Sequence, residues 1–168
     1  MKKSILILSA TNNSNYTLSK DILELIDQNE IKATVLSLEE YNLPLFRSSD
    51  YEQNKSKYLK EIKEITDKMV DSNALIICSP EYNGSIPPIL TNAIAWMSVS
   101  TDYWKDAFND KVGLVTGFSG GPAIKYQIAM KNQLEHLGMI VLSDSICISS
   151  NNPLNKDSAK KILKQLIK

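Results

Sequence analysis

Short runs of hydrophobic residues alternate along the chain with stretches in which hydrophobic residues recur at helical spacing. The runs are continuous rather than alternating, so they predict strands that are buried on both faces of a sheet. Five strands are predicted, at residues 4–9, 33–38, 74–79 and 112–116 and between residues 140 and 148. Helices are predicted after the polar turn at 11–15 through Asn29, from Leu59 to Val70, and at about 88–98, 123–137 and 158–168.

This order of strands and helices predicts an α/β fold in which parallel strands are joined by right-handed helical crossovers. Helices then cover both faces of the sheet, which makes a three-layer sandwich. Five strands favour the flavodoxin-like order 2-1-3-4-5. The longest irregular connection is expected at residues 41–52. No repeat or linker interrupts the sequence, so residues 1–168 are expected to form a single domain.

Charge and hydropathy argue against nucleic acid and membranes as binding partners. The chain has 19 Lys and Arg residues against 19 Asp and Glu residues, so it lacks the basic surface of a nucleic-acid-binding protein. Its longest hydrophobic runs, such as residues 74–78, are far shorter than the ~20 residues that a membrane helix needs. The first residues show no cleavage site for secretion. We therefore expect a cytoplasmic protein that binds neither nucleic acid nor a membrane.

The two cysteines are expected to be buried and reduced. Cys78 and Cys147 lie in hydrophobic surroundings, and no other Cys or His stands at a metal-binding spacing. In the predicted order the fourth strand separates the strands that carry them, a distance too long for a disulfide. The sequence predicts no metal site.

Three loops are expected to meet at the carboxyl ends of the strands, where an open parallel sheet binds its ligand. The first loop, residues 9–15, is rich in hydroxyl and amide side chains and leads into a helix. Unpaired N–H groups and the helix dipole favour a bound phosphate at such a place. Helix capping alone is the alternative explanation. The loop matches neither a Walker motif nor a dinucleotide-binding GxGxxG motif.

The second and third loops offer features that suit a planar ring. The second loop, residues 79–88, follows the most hydrophobic strand and combines Pro and Gly with an aromatic side chain, Tyr82. The third loop, residues 116–122, contains three of the six glycines, which would allow the backbone to approach a ligand closely. Taken alone, either loop could be only a tight turn.

The second loop also carries a family resemblance. The stretch Pro80-Glu81-Tyr82-Asn83-Gly84-Ser85-Ile86-Pro87, with Leu90, Asn92, Ala93, Ile94 and Trp96 after it, resembles the characteristic stretch of the NAD(P)H-dependent FMN reductases. This flavodoxin-like family includes quinone, azo-dye and chromate reductases. Residues 43–45, Gly120-Gly121 and the residues Leu134, Leu137 and Gly138 extend the resemblance over nearly the whole chain.

The resemblance implies FMN as the cofactor and NADPH or NADH as the hydride donor. The implied acceptor is a quinone, an azo compound, free flavin or a metal ion, and the implied assembly is a homodimer or a dimer of dimers. By similarity, the phosphate would contact Ser9, Thr11, Asn13, Ser14 and Asn15. The flavin ring would lie between Pro80, Glu81, Tyr82, Asn83, Gly84 and Ser85 on one side and Thr116, Gly117, Phe118 and Gly120 on the other. No catalytic side chain is implied, because the flavin carries the chemistry.

Two alternatives to an enzyme remain open, and a departure from the family pattern supports the first of them. Family members usually begin the first loop with Gly-Ser and carry an Arg in it, whereas this loop begins Ser9-Ala10 and has no Arg. A flavin-free descendant that binds another small molecule is therefore one alternative. An FMN-holding electron carrier is the other, although a net charge of zero argues against it.

Glu81 from this set, and three side chains outside it, have structural explanations. Glu81 is expected to form a structural hydrogen bond to backbone rather than to act as an acid or base. His136 near a helix end is assigned no chemistry, and Trp96 is expected in the core. Trp104 is either a lid over the flavin, a dimer contact or a structural residue.

Overall fold

The computed structural model describes residues 3–166. Its strands are β1 (Lys3–Ser9), β2 (Ile31–Ser37), β3 (Ala74–Cys78), β4 (Val112–Phe118), β5 (Ile140–Val141) and β6 (Ile146–Ile148). They form a parallel sheet in the order β2-β1-β3-β4-β5, with β6 also paired to β4. This is the predicted flavodoxin-like order.

The edge strand expected between residues 140 and 148 is split in two. β5 pairs with β4 at Val112 and Gly113, and β6 pairs with it from Thr116 onward. Between these pairings β4 advances by three residues and the edge by five, so two extra residues interrupt the ladder in the manner of a bulge. The polar residues 143–145 lie in this interruption.

Helices cover both faces of the sheet, as predicted. They are α1 (Ser14–Leu25), α2 (Tyr51–Lys57), α3 (Leu59–Val70), α4 (Pro88–Ser98), α5 (Ile124–His136) and α6 (Lys156–Leu163), with a 3-10 turn at Leu38–Glu40. α1 ends earlier than Asn29 because Ile26 is extended and the Asp27 carboxylate accepts a hydrogen bond from the Asn29 N–H. α6 begins earlier than expected because Asn155 caps it by accepting from the Ser158 N–H.

The alternation of side chains along β1 shows how the two faces are filled. Leu6 and Leu8 pack into a cluster with residues of α3, α4 and α5. Ile5 and Ile7 pack into a second cluster with residues of α1 and α6. Burial on both faces explains why the strand is a continuous hydrophobic run.

The connection after β2 is more ordered than the sequence suggested, since it is held on α4. The Pro44 carbonyl accepts hydrogen bonds from the Asn92 amide, at 3.0 Å, and from the Trp96 indole N–H, at 2.8 Å. The Asn92 side-chain oxygen accepts from the Phe46 N–H at 2.8 Å. Trp96 is fully buried, which confirms its place in the core. Residues 51–57, partly expected to be irregular, form α2.

Within residues 3–166, no helix is long and apolar enough to cross a bilayer.

Candidate functional site

The three loops lie side by side at the carboxyl edge of the sheet. The Ala10 N–H of the first loop donates to the Cys78 carbonyl at the end of β3, at 2.8 Å. The Ser79 N–H of the second loop donates to the Thr116 carbonyl of β4, at 3.1 Å. The sheet ladder therefore continues into the loops and sets their spacing.

Asn15 joins the first loop to the third. Its side chain is 2% exposed, and its amide group forms two hydrogen bonds with the backbone of Phe118. The amide oxygen accepts from the Phe118 N–H at 2.8 Å, and the amide nitrogen donates to the Phe118 carbonyl at 3.2 Å. Asn15 thus holds the two loops at a fixed separation.

Two further polar side chains of the first loop organise the loop itself. The buried Ser9 hydroxyl donates to the Thr11 carbonyl at 2.8 Å, and the Thr11 hydroxyl donates to Asn13 Oδ1 at 2.7 Å. Asn13 also caps α1 by accepting from the Asn15 N–H at 3.3 Å. Asn13 and Ser14 are exposed, next to the first N–H groups of α1, which have no partner inside the helix. These exposed groups are the ones in the first loop that a ligand can reach.

An acidic side chain from outside the loop already contacts it. Glu39, in the 3-10 turn after β2, accepts a hydrogen bond from the Asn12 N–H. A carboxylate on this N–H shows that the loop presents its backbone donors in a way that suits an anion. Sequence reasoning missed Glu39, although the end of β2 lies at the same edge of the sheet as the other loops.

The second loop contains a tight hairpin that exposes an aromatic ring. Tyr82 and Ser85 exchange two backbone hydrogen bonds, at 3.1 and 3.0 Å. Asn83 and Gly84 between them have φ values of +50° and +71°, the signature of a type I′ turn. The Asn-Gly pair suits this turn because both residues tolerate positive φ. The Tyr82 side chain is 46% exposed.

Glu81 holds the second loop against the third loop and α5. Its N–H donates to the Ser119 hydroxyl at 2.7 Å, and its carboxylate accepts from the Tyr126 N–H at 2.9 Å. Ala123, the residue before α5, offers no side-chain cap, so Glu81 satisfies one of the first N–H groups of that helix. The predicted structural hydrogen bond of Glu81 is confirmed. Its partner is the Tyr126 N–H, and Ser119, which was not among the predicted site residues, accepts from the Glu81 backbone N–H.

The glycines of the third loop serve two purposes. A Cβ on Gly117 would lie 2.1 Å from the Ser79 carbonyl oxygen, so this glycine is required by the neighbouring backbone. At Gly120 and Gly121 a Cβ would meet no atom within 4 Å. The Thr116 hydroxyl is buried and donates to the Ile77 carbonyl at 3.3 Å. A ligand can therefore approach closely at Gly120. Thr116 and Gly117 instead contact the neighbouring backbone at Ile77 and Ser79, and so fix the position of the third loop.

Both cysteines are free, as predicted, and they pack against opposite faces of the sheet. Cys78 is buried, whereas Cys147 is only partly buried. Burial raises the pKa of the Cys78 thiol to about 11 and that of the Cys147 thiol to about 12.

We expect neither thiol to react with a disulfide reagent in the folded protein. With a pKa of about 11, roughly one Cys78 thiol in a thousand is ionised at about pH 8, and the thiolate is the reactive form. Absorbance of the released thiol measures the reaction. In urea both cysteines should react within minutes, and rapid reaction of either one without urea would contradict the burial described above.

The aromatic residue Trp104 lies away from the loops. Its ring packs on the ring of His136, the last residue of α5, and the two ring centroids are 5.5 Å apart. The loops are at the first turn of this helix, which has 13 residues and is about 20 Å long. The lid alternative for Trp104 is therefore wrong. Among the described residues, no group of three or more His, Cys, Asp and Glu side chains is placed to hold a metal ion.

Comparison with known proteins decides the family. Residues 3–153 match the family described as NADPH-dependent FMN reductase. The chain belongs to this family.

Two curated relatives illustrate the range of the NADPH-dependent FMN reductase family. The FMN-dependent NADPH-azoreductase of Staphylococcus aureus is 31% identical over 144 residues, which are 85% of this chain and 70% of the relative. The 2-hydroxy-1,4-benzoquinone reductase of a Burkholderia species is 33% identical over 79 residues, 47% of this chain and 40% of the relative. The chain spans 40% to 60% of the length of three of the curated relatives that it matches.

Solved structures support the fold. FerB, a flavoenzyme NAD(P)H:(acceptor) oxidoreductase from Paracoccus denitrificans, superimposes with a TM-score of 0.73 at 21% identity. The match covers 98% of this chain and 93% of FerB. An apo form of an NADH:FMN oxidoreductase gives a TM-score of 0.76 at 14% identity, over 98% of this chain and 88% of that one.

Proposed function

We propose that this protein is an FMN-dependent NAD(P)H oxidoreductase that reduces a small-molecule acceptor such as a quinone, an azo compound, free flavin or a metal ion. The observation that carries the proposal is the geometry of the second loop. Its Asn83-Gly84 turn leaves Tyr82 46% exposed, and Glu81 ties the same loop to Ser119 of the third loop, in a chain that belongs to the NADPH-dependent FMN reductase family.

The first loop fits the phosphate of FMN. Its accessible donors are the Ser14 hydroxyl, the Asn13 side chain and the N–H groups at the start of α1. These donors are neutral, and the helix dipole adds a partial positive charge. The contact between the Asn12 N–H and the Glu39 carboxylate supports this assignment, because it shows an anion on the same loop. In this proposal Ser9, Thr11 and Asn15 do not contact the phosphate, and their hydrogen bonds within the protein hold the first loop in its conformation.

The second and third loops would hold the flavin ring between them. Residues 80–85 supply the exposed Tyr82 ring and the backbone of the hairpin, and Phe118 and Gly120 supply the opposite wall. Lys125 extends along Gly84, where its Cδ lies 3.0 Å from the position of an added Cβ. A cation at this rim would stabilise negative charge that develops on a reduced ring.

Held by the first loop and by residues 80–85, Phe118 and Gly120, FMN would supply the redox chemistry, which is hydride uptake from a nicotinamide and electron transfer to the acceptor. The side chains bind and orient the two rings and exclude water from their contact. Glu81 has no part in proton transfer in this proposal, because its carboxylate is engaged with the Tyr126 N–H.

Replacement of Glu81 tests its structural role. Glu81→Gln keeps an oxygen that can accept from the Tyr126 N–H, so we expect turnover within about threefold of the original. Loss of a general acid or base would cost about 100-fold or more. Glu81→Ala leaves the helix N–H without its acceptor and should lower the free energy of unfolding by about 1 kcal/mol. Steady-state rates and urea unfolding measure the two effects.

The proposal also covers the cellular compartment and the oligomeric state. Two free thiols suit a reducing compartment such as the cytoplasm. By family resemblance we propose a homodimer or a dimer of dimers, and we propose that residues 1–168 act as a single FMN-binding domain.

The decisive assay follows NADPH absorbance with purified protein, FMN and a benzoquinone. We expect oxidation of NADPH that requires both the protein and FMN, and a parallel assay with NADH identifies the preferred donor. FMN binding without any oxidation of either nicotinamide would overturn the enzyme proposal and favour an electron carrier. Absence of flavin binding would favour the flavin-free alternative.

A further inference from the structure

Glu39 approaches the first loop through the pairing of β1 with β2. Ser9 and Ser37 are register partners at the ends of these strands. Asn12 lies three residues beyond the end of β1, and Glu39 lies two residues beyond the end of β2. The 3-10 turn after β2 directs the Glu39 carboxylate onto the Asn12 N–H. This contact joins the first loop to the end of β2, which none of the three loops follows.

The contact places a negative charge on the first loop, which is unusual for a site that binds a phosphate. Residues 9–15 contain no Lys or Arg. The acidic side chain Glu39 contacts the loop, and its neighbour Glu40 is exposed on the same turn. The basic residue Lys20 lies further along α1, where its Nζ stands 4.8 Å from the ring centroid of Tyr16. An arriving phosphate therefore meets a carboxylate that already occupies the Asn12 N–H, one residue before the cap of α1.

A phosphate at the start of α1 and the Glu39 carboxylate on the Asn12 N–H would lie side by side on one short loop, which is unfavourable. Two like charges at contact distance repel each other, and the repulsion remains significant near a protein surface, where the effective dielectric constant is below that of water. The Glu39 side chain has room to move away. It is exposed, and it lines a cavity of about 430 Å³ together with the other residues of the 3-10 turn, residues 41–43 and α4.

We propose that Glu39 competes with the phosphate of FMN for the first loop and so determines how strongly the protein prefers FMN to riboflavin. This inference rests on the proposed function, because it assumes that the three loops bind a flavin. The ring and ribityl chain would bind in the same way in both flavins. The phosphate of FMN gains the helix terminus but must displace Glu39, so its net contribution is small and FMN exchanges readily.

The test compares dissociation constants for FMN and riboflavin, measured by quenching of flavin fluorescence. Glu39→Gln removes the charge but keeps an acceptor, and Glu39→Ala removes both. We expect each variant to bind FMN about tenfold more tightly than the original protein, from the lost repulsion. Riboflavin binding should change by less than about twofold, since riboflavin carries no phosphate. Glu40→Gln is the matched control, because it removes an equal charge from the same exposed turn. It should change FMN binding by less than about threefold.

The possible failures are distinct. If the Glu39 variants leave the ratio of FMN to riboflavin affinity unchanged, or weaken FMN binding, the competition proposal is overturned while the flavin site stands. If Glu40→Gln has as large an effect as Glu39→Gln, the effect is one of general surface charge and the specific role of Glu39 is overturned. If the original protein and every variant bind neither flavin, the proposed function fails together with this inference. Urea unfolding midpoints confirm that each variant is folded, which is expected because Glu39 is exposed.

Discussion

Gly117→Ala should destabilise the protein by about 3 kcal/mol and abolish binding at the candidate site. The added Cβ would lie 2.1 Å from the Ser79 carbonyl oxygen and 3.2 Å from the Ser79 carbonyl carbon. Backbone atoms cannot yield as a flexible side chain does, so β4 and the second loop must separate. Separation would strain the hydrogen bond from the Ser79 N–H to the Thr116 carbonyl. Urea unfolding measures the loss of stability, and titration with FMN measures the loss of the site.

Gly120→Ala is the matched control for this prediction. It adds the same methyl group to the same loop, but no atom lies within 4 Å of the new Cβ. We expect its free energy of unfolding to stay within about 0.5 kcal/mol of the original. Equal stability of the two variants would show that Gly117 is not packed against the second loop as described.

Asn15→Ala should cost about 2 to 6 kcal/mol of stability and weaken flavin binding. The side chain is buried and pairs with both the N–H and the carbonyl of Phe118, across 103 positions of sequence. Its removal leaves two backbone groups without partners in a place that water reaches poorly, at about 1 to 3 kcal/mol each. It also frees the third loop from the first, so the cleft between them would lose its fixed width.

Asn12→Ala serves as the control for Asn15→Ala. Asn12 is exposed, and its contact with Glu39 uses the backbone N–H, which alanine retains. Its free energy of unfolding should change by less than about 0.5 kcal/mol. If Asn15→Ala is as stable as Asn12→Ala, the bridge to Phe118 does not contribute as proposed.

The strands and their order could be predicted because each strand has a strong local signal. The continuous run in β1 reflects burial on both faces, and Pro88 at the start of α4 suits the first helical position. Boundaries were less predictable where a single side chain decides them. Asn155 starts α6, and the Asp27 turn ends α1. The split of the edge strand depends on pairing with β4, which no local pattern reports.

The candidate site was predictable as a set of loops but not as a set of roles. The first loop was expected to offer its polar side chains to a phosphate, yet Ser9, Thr11 and Asn15 use theirs within the protein. A hydroxyl or amide group can bind a phosphate or form a hydrogen bond within the protein, and the sequence alone does not distinguish these two roles. The Glu39 contact joins residues 27 apart, and it depends on a 3-10 turn that composition does not specify.

The central claim is that the three loops at the carboxyl edge of the sheet hold FMN. Equilibrium dialysis of the purified protein against FMN, read by the visible absorbance of the flavin, tests it most directly. We predict that binding saturates at one FMN per chain and that Gly117→Ala or Asn15→Ala greatly weakens it. Equal flavin concentrations on the two sides of the membrane for the original protein, or unchanged binding by both variants, would contradict this assignment of the site.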